Sequence, residues 1–467
     1  MVYNQTMPII ASYIVPHPPI SIPEVGRGKE KEIANTIAAI EKVAKEISDI
    51  KPDTIVFISP HAEAYTDFFP IADGEIGNGS FAKFGASNVS FRVFYDRDLI
   101  RDISLVAKEN GVEAGASGYN ERHIDHGTLV PLYYINQYYR DYKMVRLGLS
   151  GFSLLEHYRY GQILGELFDK SEKRIVVIAS GDLSHCQKMD GVYGFRPEGP
   201  RYDDLMLKII KTTNFANLLS MNSSLLSKAH ECGHRAITIL AGMFDRYSVE
   251  SQVLSHEAPF GVGYLVASLK IKEFDASRAF YELYCTKEEY SVKEHIDNSD
   301  LYVKWARKAI EGYIKEKKIP SAEVTLPDTF LNVQSGVFVT LHEHGALRGC
   351  LGTIKPMRKN LALEIAYNAI SAATHDPRFE PITEKDFPYI KITVDVISKP
   401  IPILSVSDLD VKTYGVIVEN GERRGVVLPS LPGVETPEQQ VEIARKKAGI
   451  GDEEDYTLYR FEVERHR

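Results

Sequence analysis

The chain has 467 residues, 44% hydrophobic and 25% charged, which is ordinary globular composition with more apolar surface than one core uses, so more than one domain is expected. A net charge of −9 supplies no basic field for phosphates or an anionic bilayer, which excludes nucleic acid and membranes as expected partners. Without a signal-like leader or an apolar run of spanning length, a cytoplasmic location is expected.

In chain order, β-type apolar runs at 7–15 and 54–59 bracket a helix that carries Ile33, Ile37, Ile40 and Ile47 on one stripe. Further runs at 144–149, 174–179 and 261–269 are separated by helical or loop segments. This grammar predicts an α/β N-terminal domain over 1–275, with a central sheet flanked by helices. Residues 63–90, which contain the glycine-rich stretch DGEIGNGSFAKFGASN, read as a long loop at the rim of a site, and 189–202 as a second. The pattern resets through a polar segment at 287–300, placing a boundary near 272–290, and an amphipathic helix follows with Leu301, Trp305, Ala309 and Tyr313 on one side. Residues 284–467 read as an α+β domain, with strands near 336–341, 347–354, 390–397 and 415–418. A hairpin turn is expected at Asn420-Gly421, and helices near 359–373 and 437–448.

Three apolar runs of the first domain end in a histidine: IIASYIVPH in His17, TIVFISPH in His61 and RIVVIASGDLSH in His185. Side chains just beyond the carboxyl ends of strands converge on the crevice of an open α/β sheet. Proline before His17 and His61 stiffens each approach. Two neutral imidazoles held this way can share one divalent cation. Taken singly, any one of the 14 histidines is more often an ordinary surface or hydrogen-bonded residue.

A third ligand is available in KAHECGHRAITILAGMF, at the start of an apolar helix. Glu231 would complete the facial triad of two histidines and one carboxylate that suits Fe(II), and it is the expected ligand. Cys232 is the alternative and would make a softer site, better suited to zinc. Adjacent residues on a helix point about 100° apart, so only one of the two is expected to ligate. The plain reading of Glu231 is a carboxylate that stabilises the helix N-terminus. Four scattered cysteines, Cys186, Cys232, Cys285 and Cys350, form no CxxC pair and no disulfide framework.

The ordered set PHPPISIPEVG, ISPH, IDHGTLVPL, SGDLSH and ECGHRAITIL resembles the LigB-type class III extradiol dioxygenases, to which the Memo-like proteins are structurally related. The resemblance implies non-haem iron held by His17, His61 and a late acidic residue, Glu231. It implies His185 as acid/base and His126, of the DHG motif, beside the substrate. Memo-like relatives resemble this chain in placing cysteine at the position of Cys232. The implied reaction is ring cleavage of a small catechol-type substrate by dioxygen, with His185 moving the proton of a substrate hydroxyl. Asp182 and Asp125 are placed to orient these histidines, although aspartate in such turns is more often a turn or cap residue.

The stretches ALRGCLGTIKP, HDPRFEPI, GVVLPSLPG and ARKKAGI resemble the AMMECR domain family over 284–467. Cys350 and Arg348 form a possible second site there if the guanidinium activates the thiol, and a packed thiol is the plainer reading. His375, Asp376 and Arg378 make another polar cluster after a helix, read most simply as a cap and turn. The fusion resembles the AmmeMemoRadiSam arrangement, which implies a radical S-adenosylmethionine enzyme as a partner. A metal-binding accessory protein without dioxygenase turnover is therefore the alternative function, with a zinc hydrolase third.

Overall fold

Unbroken runs of Ile, Val and Phe cannot alternate between core and water, so they form strands buried on both faces. The computed structural model describes residues 9–116, 123–191, 193–320, 326–431 and 433–467. Its contacts divide the chain into two units, Met1–Cys285 and Thr286–Arg467.

The first unit contains β1 (Ile9–Val15), β2 (Thr54–Ile58), β3 (Phe69–Ile71), β4 (Ile76–Phe81), β5 (Ala86–Phe94), β6 (Ala114–Ala116), β7 (Lys143–Leu147), β8 (Ile175–Ser180), β9 (Tyr247–Glu257) and β10 (Tyr264–Phe274). Eight of these form one mixed sheet in the order β6-β3-β7-β2-β8-β1-β10-β9. At its centre β7, β2, β8 and β1 run parallel, and every residue of β2 and β8 is buried. Helices flank the sheet: Ala34–Ile50 packs with His126–Ile135, and Leu154–Asp169 with His234–Gly242. The start of the first expected strand, residues 7 and 8, lies outside the described residues.

Two expected loops are corrected. Within 63–90 lie β3, β4 and the first part of β5, and β4 pairs with β5 as an antiparallel hairpin. Its glycines serve close packing: a Cβ on Gly79 would come 2.7 Å from Leu129 Cδ2 and 2.9 Å from Ile124 Cβ. Within 189–202, the loop gives way at Glu198 to the helix Glu198–Thr212. Most of the polar segment at 287–300 belongs to the helix Phe280–Asn298.

The second unit is an antiparallel sheet in the order Ala346–Thr353, Gly336–Glu343, Ile390–Ile397, Thr457–His466, Tyr414–Asn420, Arg423–Val427. Ile401–Ile403 also pairs with Thr457–His466. Helix Leu361–Thr374 packs on the first two strands, and Trp305 of helix Leu301–Glu316 donates to Ala362 O at 2.8 Å. Leu301 is exposed rather than on the apolar face, because that helix begins beside its cap, Asp300.

His157 yields a prediction. It is wholly buried on helix Leu154–Asp169, with Nδ1 2.8 Å from Ser153 O and Nε2 3.5 Å from the Ser150 N–H. The neutral ring, protonated at Nδ1, fits both contacts, whereas a protonated Nε2 would face another donor. Burial accordingly lowers its pKa to about 3. Between that value and the ordinary 6.5, the unfolded chain binds the proton that the native state refuses. This contribution is therefore fully present above 6.5 and is lost as pH falls, by up to about 1.4 kcal/mol per unit. His157→Gln should flatten the acid limb of urea-unfolding stability between pH 6.5 and 4. An unchanged slope would refute the assignment.

Candidate metal centre

Strands β2, β8 and β1 are adjacent and parallel, so their carboxyl ends deliver His61, then Asp182 and His185, then His17, to one edge of the sheet. His17 is 2% exposed, and its backbone N–H donates to Asp182 Oδ1 at 2.9 Å. Its Nδ1 lies 2.9 Å from Ser180 Oγ, whose only proton is donated to Gly127 O at 2.6 Å. Ser180 must therefore accept from His17 Nδ1–H, which leaves the Nε2 lone pair of His17 pointing into the site.

Two groups approach that lone pair: His61 Nε2 at 3.0 Å and Cys232 Sγ at 3.6 Å. Around a tetrahedral zinc, two imidazole nitrogens stand about 3.3 Å apart, and nitrogen and sulfur about 3.6 Å apart. Both distances to His17 are thus close to those around a shared cation, and the ligand atoms of all three side chains lie within 4.8 Å of one another. Burial pushes His17 down to about 3, with His61 adding to the effect, so this imidazole is a neutral lone-pair donor at physiological pH. Burial raises the Cys232 thiol well above its ordinary range, so the sulfur keeps its proton unless a cation stands beside it.

At the third position the two candidate donors sit differently. The structure brings Cys232 to the histidine pair, while Glu231 turns to the following helix and accepts the His234 N–H at 2.6 Å. Burial pushes the Glu231 carboxyl up to about 7. Residues 230–233 form a turn before helix His234–Gly242, with His230 at φ 51°, so helical spacing never governed the choice. The turn is clamped to the strand-end loop: Gly233 N donates to Asp182 O at 3.0 Å and Asp182 N donates to Cys232 Sγ at 3.3 Å. A Cβ on Gly181 would lie 2.2 Å from Gly233 Cα, so the SGD and ECG motifs cross backbone to backbone and only glycine serves at 181.

His185 is the other strand-end histidine, and with Asp182 and Cys232 it forms a second group of ligand atoms within 4.8 Å. Its Nδ1 is buried and has no hydrogen-bond partner among the described residues. Burial pushes the nearby Asp182 carboxyl up to about 6. Tyr193 lies edge-on to His185 at 6.0 Å and stacks on His230 at 4.6 Å.

His126 starts helix His126–Ile135 and stacks on His61 with ring centroids 4.1 Å apart. Burial, with His61 and His17, lowers it to about 3. Its neighbour Asp125 caps the helix through Thr128 N at 3.1 Å, accepts the Ser59 hydroxyl at 2.6 Å and pairs with Arg146 at 2.9 Å. Arg146 is wholly buried on β7. Burial alone would raise the Asp125 carboxyl, but the cation and hydrogen bonds hold it below the usual range. Sequence reasoning passed over Arg146 and Ser180, although an arginine inside the apolar run MVRLGL demands a buried acidic partner.

In the second unit, Arg348 is paired with Glu343 at 3.1 Å and donates to Glu380 O at 2.5 Å. Cys350 Sγ meets Thr340 Oγ1 at 3.3 Å, and its N–H donates to Asp376 Oδ2 at 2.9 Å. Arg348 is thus engaged by the Glu343 carboxylate and the Glu380 backbone carbonyl. Asp376 is instead held well below the usual range by Arg378, whose guanidinium lies 2.6 Å away. His375 contacts Thr374 Oγ1 at 2.6 Å, at the end of helix Leu361–Thr374.

Comparison with known proteins gives two family matches: "Catalytic LigB subunit of aromatic ring-opening dioxygenase" over residues 11–267, and AMMECR1 over 303–466. A protein of Clostridium acetobutylicum is 38% identical over 97% of this chain and 98% of its own length. One from Thermotoga maritima is 48% identical over 36% of this chain and 97% of its own. A crystal structure of an uncharacterized protein from Pyrococcus horikoshii is 30% identical with a TM-score of 0.34, covering 36% of this chain and 89% of that one. No helix of the described residues is long and apolar enough to cross a membrane.

Proposed function

Because this chain belongs to the family of the catalytic LigB subunit of aromatic ring-opening dioxygenases and carries an AMMECR1 domain behind it, we propose that it is a metal-dependent enzyme acting on a catechol-type substrate. The observation that carries this reading is the convergence of His17 Nε2, His61 Nε2 and Cys232 Sγ on one point. Iron bound there would supply the redox chemistry for ring opening by dioxygen and would acidify the hydroxyls of a catechol. The chain's own residues do the rest. Ser180 fixes the His17 tautomer, and Asp125 with Ser59 braces the His61 side of the site. His126 and His61 present a stacked wall for a flat ring. His185 takes a substrate hydroxyl proton on its ring and returns it later.

Cys232 in place of a carboxylate favours a second reading: a softer, zinc-type centre in an accessory protein of a radical S-adenosylmethionine system, without oxygen turnover. Oxygen uptake with a catechol panel on anaerobically iron-loaded protein separates the two. Uptake supports the enzyme, and stoichiometric metal without uptake hands the lead to the second reading. The ligand set is tested by Co(II) substitution. An intense sulfur-to-metal charge-transfer band is expected, lost in Cys232→Ser and kept in Glu231→Gln; its absence from the wild type removes the thiolate.

His185→Ala should keep its metal and lose turnover by about 10²- to 10⁴-fold, the usual worth of general acid–base assistance. Undiminished turnover takes His185 out of the mechanism.

A further inference from the structure

The ring of His185 is not fixed by a hydrogen bond at Nδ1, which is buried without a partner among the described residues, and Tyr193 meets it only edge-on at 6.0 Å. Asp182, on the same loop, turns instead to the His17 N–H at 2.9 Å. The place of the imidazole therefore depends on how the backbone of residues 183–185 is held. Leu183 N donates to Gly263 O at 2.8 Å, Gly263 N to Ser184 O at 2.8 Å and His185 N to Ala229 O at 3.0 Å, all backbone to backbone. The Ser184 N–H donates to a side chain, Asp203 Oδ1, at 3.0 Å.

Asp203 is an unexpected residue for its position. It lies within helix Glu198–Thr212 and is 1% exposed, whereas aspartate favours caps and turns over helix interiors and is seldom buried unpaired. Its second oxygen, Oδ2, meets His256 Nε2 of β9 at 2.9 Å. That oxygen would stand 2.0 Å from a Cβ on Gly263, so glycine at 263 is what lets the carboxylate reach the strand-end loop. A helix, an outer strand and the segment before β10 thus close around one carboxylate, and that carboxylate holds the peptide next to His185.

Resting on the acid/base role proposed above for His185, we infer that Asp203 is its positioning residue: paired with His256, the buried carboxylate holds the Ser184 N–H and thereby fixes where the His185 ring meets the substrate hydroxyl. In this role Asp203 touches neither substrate nor metal and exchanges no proton. A carboxylate holds an amide N–H more strongly than a neutral acceptor does, and a reacting group displaced by about 1 Å loses the alignment that transfer needs.

The test uses the full-length, zinc-loaded protein, needs no turnover, and takes as probe para-nitrocatechol, whose colour reports whether one or both hydroxyls are ionised. At a pH where the free probe has lost one proton, the wild type should bind it doubly ionised, its second proton having passed to the His185 ring. His185→Ala should bind it singly ionised. Asp203→Ala should follow His185→Ala, with the doubly ionised fraction about tenfold or more below the wild type at unchanged metal content. Asp203→Asn keeps an acceptor oxygen for Ser184 and should retain most of the wild-type band. If Asp203→Ala does not fold, Asp203→Val, which fills the same space without an acceptor, decides on the same scale. A wild-type band in Asp203→Ala, with that of His185→Ala changed, overturns the positioning role and leaves His185 in place. Equal loss in Asp203→Ala and Asp203→Asn overturns it as well, because the bond to Ser184 is then not what matters. A His185→Ala band identical to the wild type's removes His185 itself, and the reading on which the inference rests falls with it.

Discussion

His17→Ala and His61→Ala should each abolish stoichiometric metal binding while leaving the fold intact. His61 sits at the exposed rim of the site, so its loss removes a ligand and little packing. His17 is buried, and truncating it opens a small void at the end of β1 that a sheet of this size tolerates. Removing residues that merely orient a ligand typically costs 10- to 100-fold in metal affinity, so removing a ligand itself should cost more than about 100-fold. The measurement is metal content after dialysis, paired with far-ultraviolet circular dichroism. Full occupancy in either variant would sink the proposed centre. A collapsed spectrum in His17→Ala would shift the decision to His61→Ala.

Asp125→Ala should be the most destabilising single change near the site. Arg146 is wholly buried, and Asp125 lies 2.9 Å from it while also capping helix His126–Ile135 and accepting the Ser59 hydroxyl. A buried pair contributes little net stability, but deleting one partner strands the other charge in the interior, at about 3–5 kcal/mol. The lost cap adds about 1 kcal/mol. Asp125→Asn, which keeps the cap acceptor and the shape but not the charge, should cost less. Urea unfolding of both variants tests this, and a loss under about 1 kcal/mol for the alanine variant would mean that Arg146 finds another partner.

The parallel core of the first unit and its histidines were legible because both depend on local pattern. Apolar runs that end in His17, His61 and His185 need nothing from elsewhere in the chain to be recognised. What stayed illegible depended on contacts between distant segments. Glu231 and Cys232 are neighbours in sequence, and only the crossing of Gly181 with Gly233 turns the thiol inward and the carboxylate away. The glycines of β4 suggested a loop, since sequence does not distinguish a glycine that frees the backbone from one that makes room for Leu129 and Ile124. Thr457–His466 was missed likewise: its apolar positions alternate with polar and charged ones, and the strands it pairs with, Ile390–Ile397 and Tyr414–Asn420, lie far off in the chain.

The donors of the proposed centre come from three separate stretches, with His61 44 residues and Cys232 215 residues from His17. An unfolded chain would have to close two long loops to gather them, so an ion would hold it less tightly than the folded site. Loading would therefore follow folding, and the ion's binding energy would add to native stability as RT ln(1 + [M]/Kd). A chelator would then act on this protein as a denaturant acts on others, lowering Tm in proportion to how tightly the ion was held.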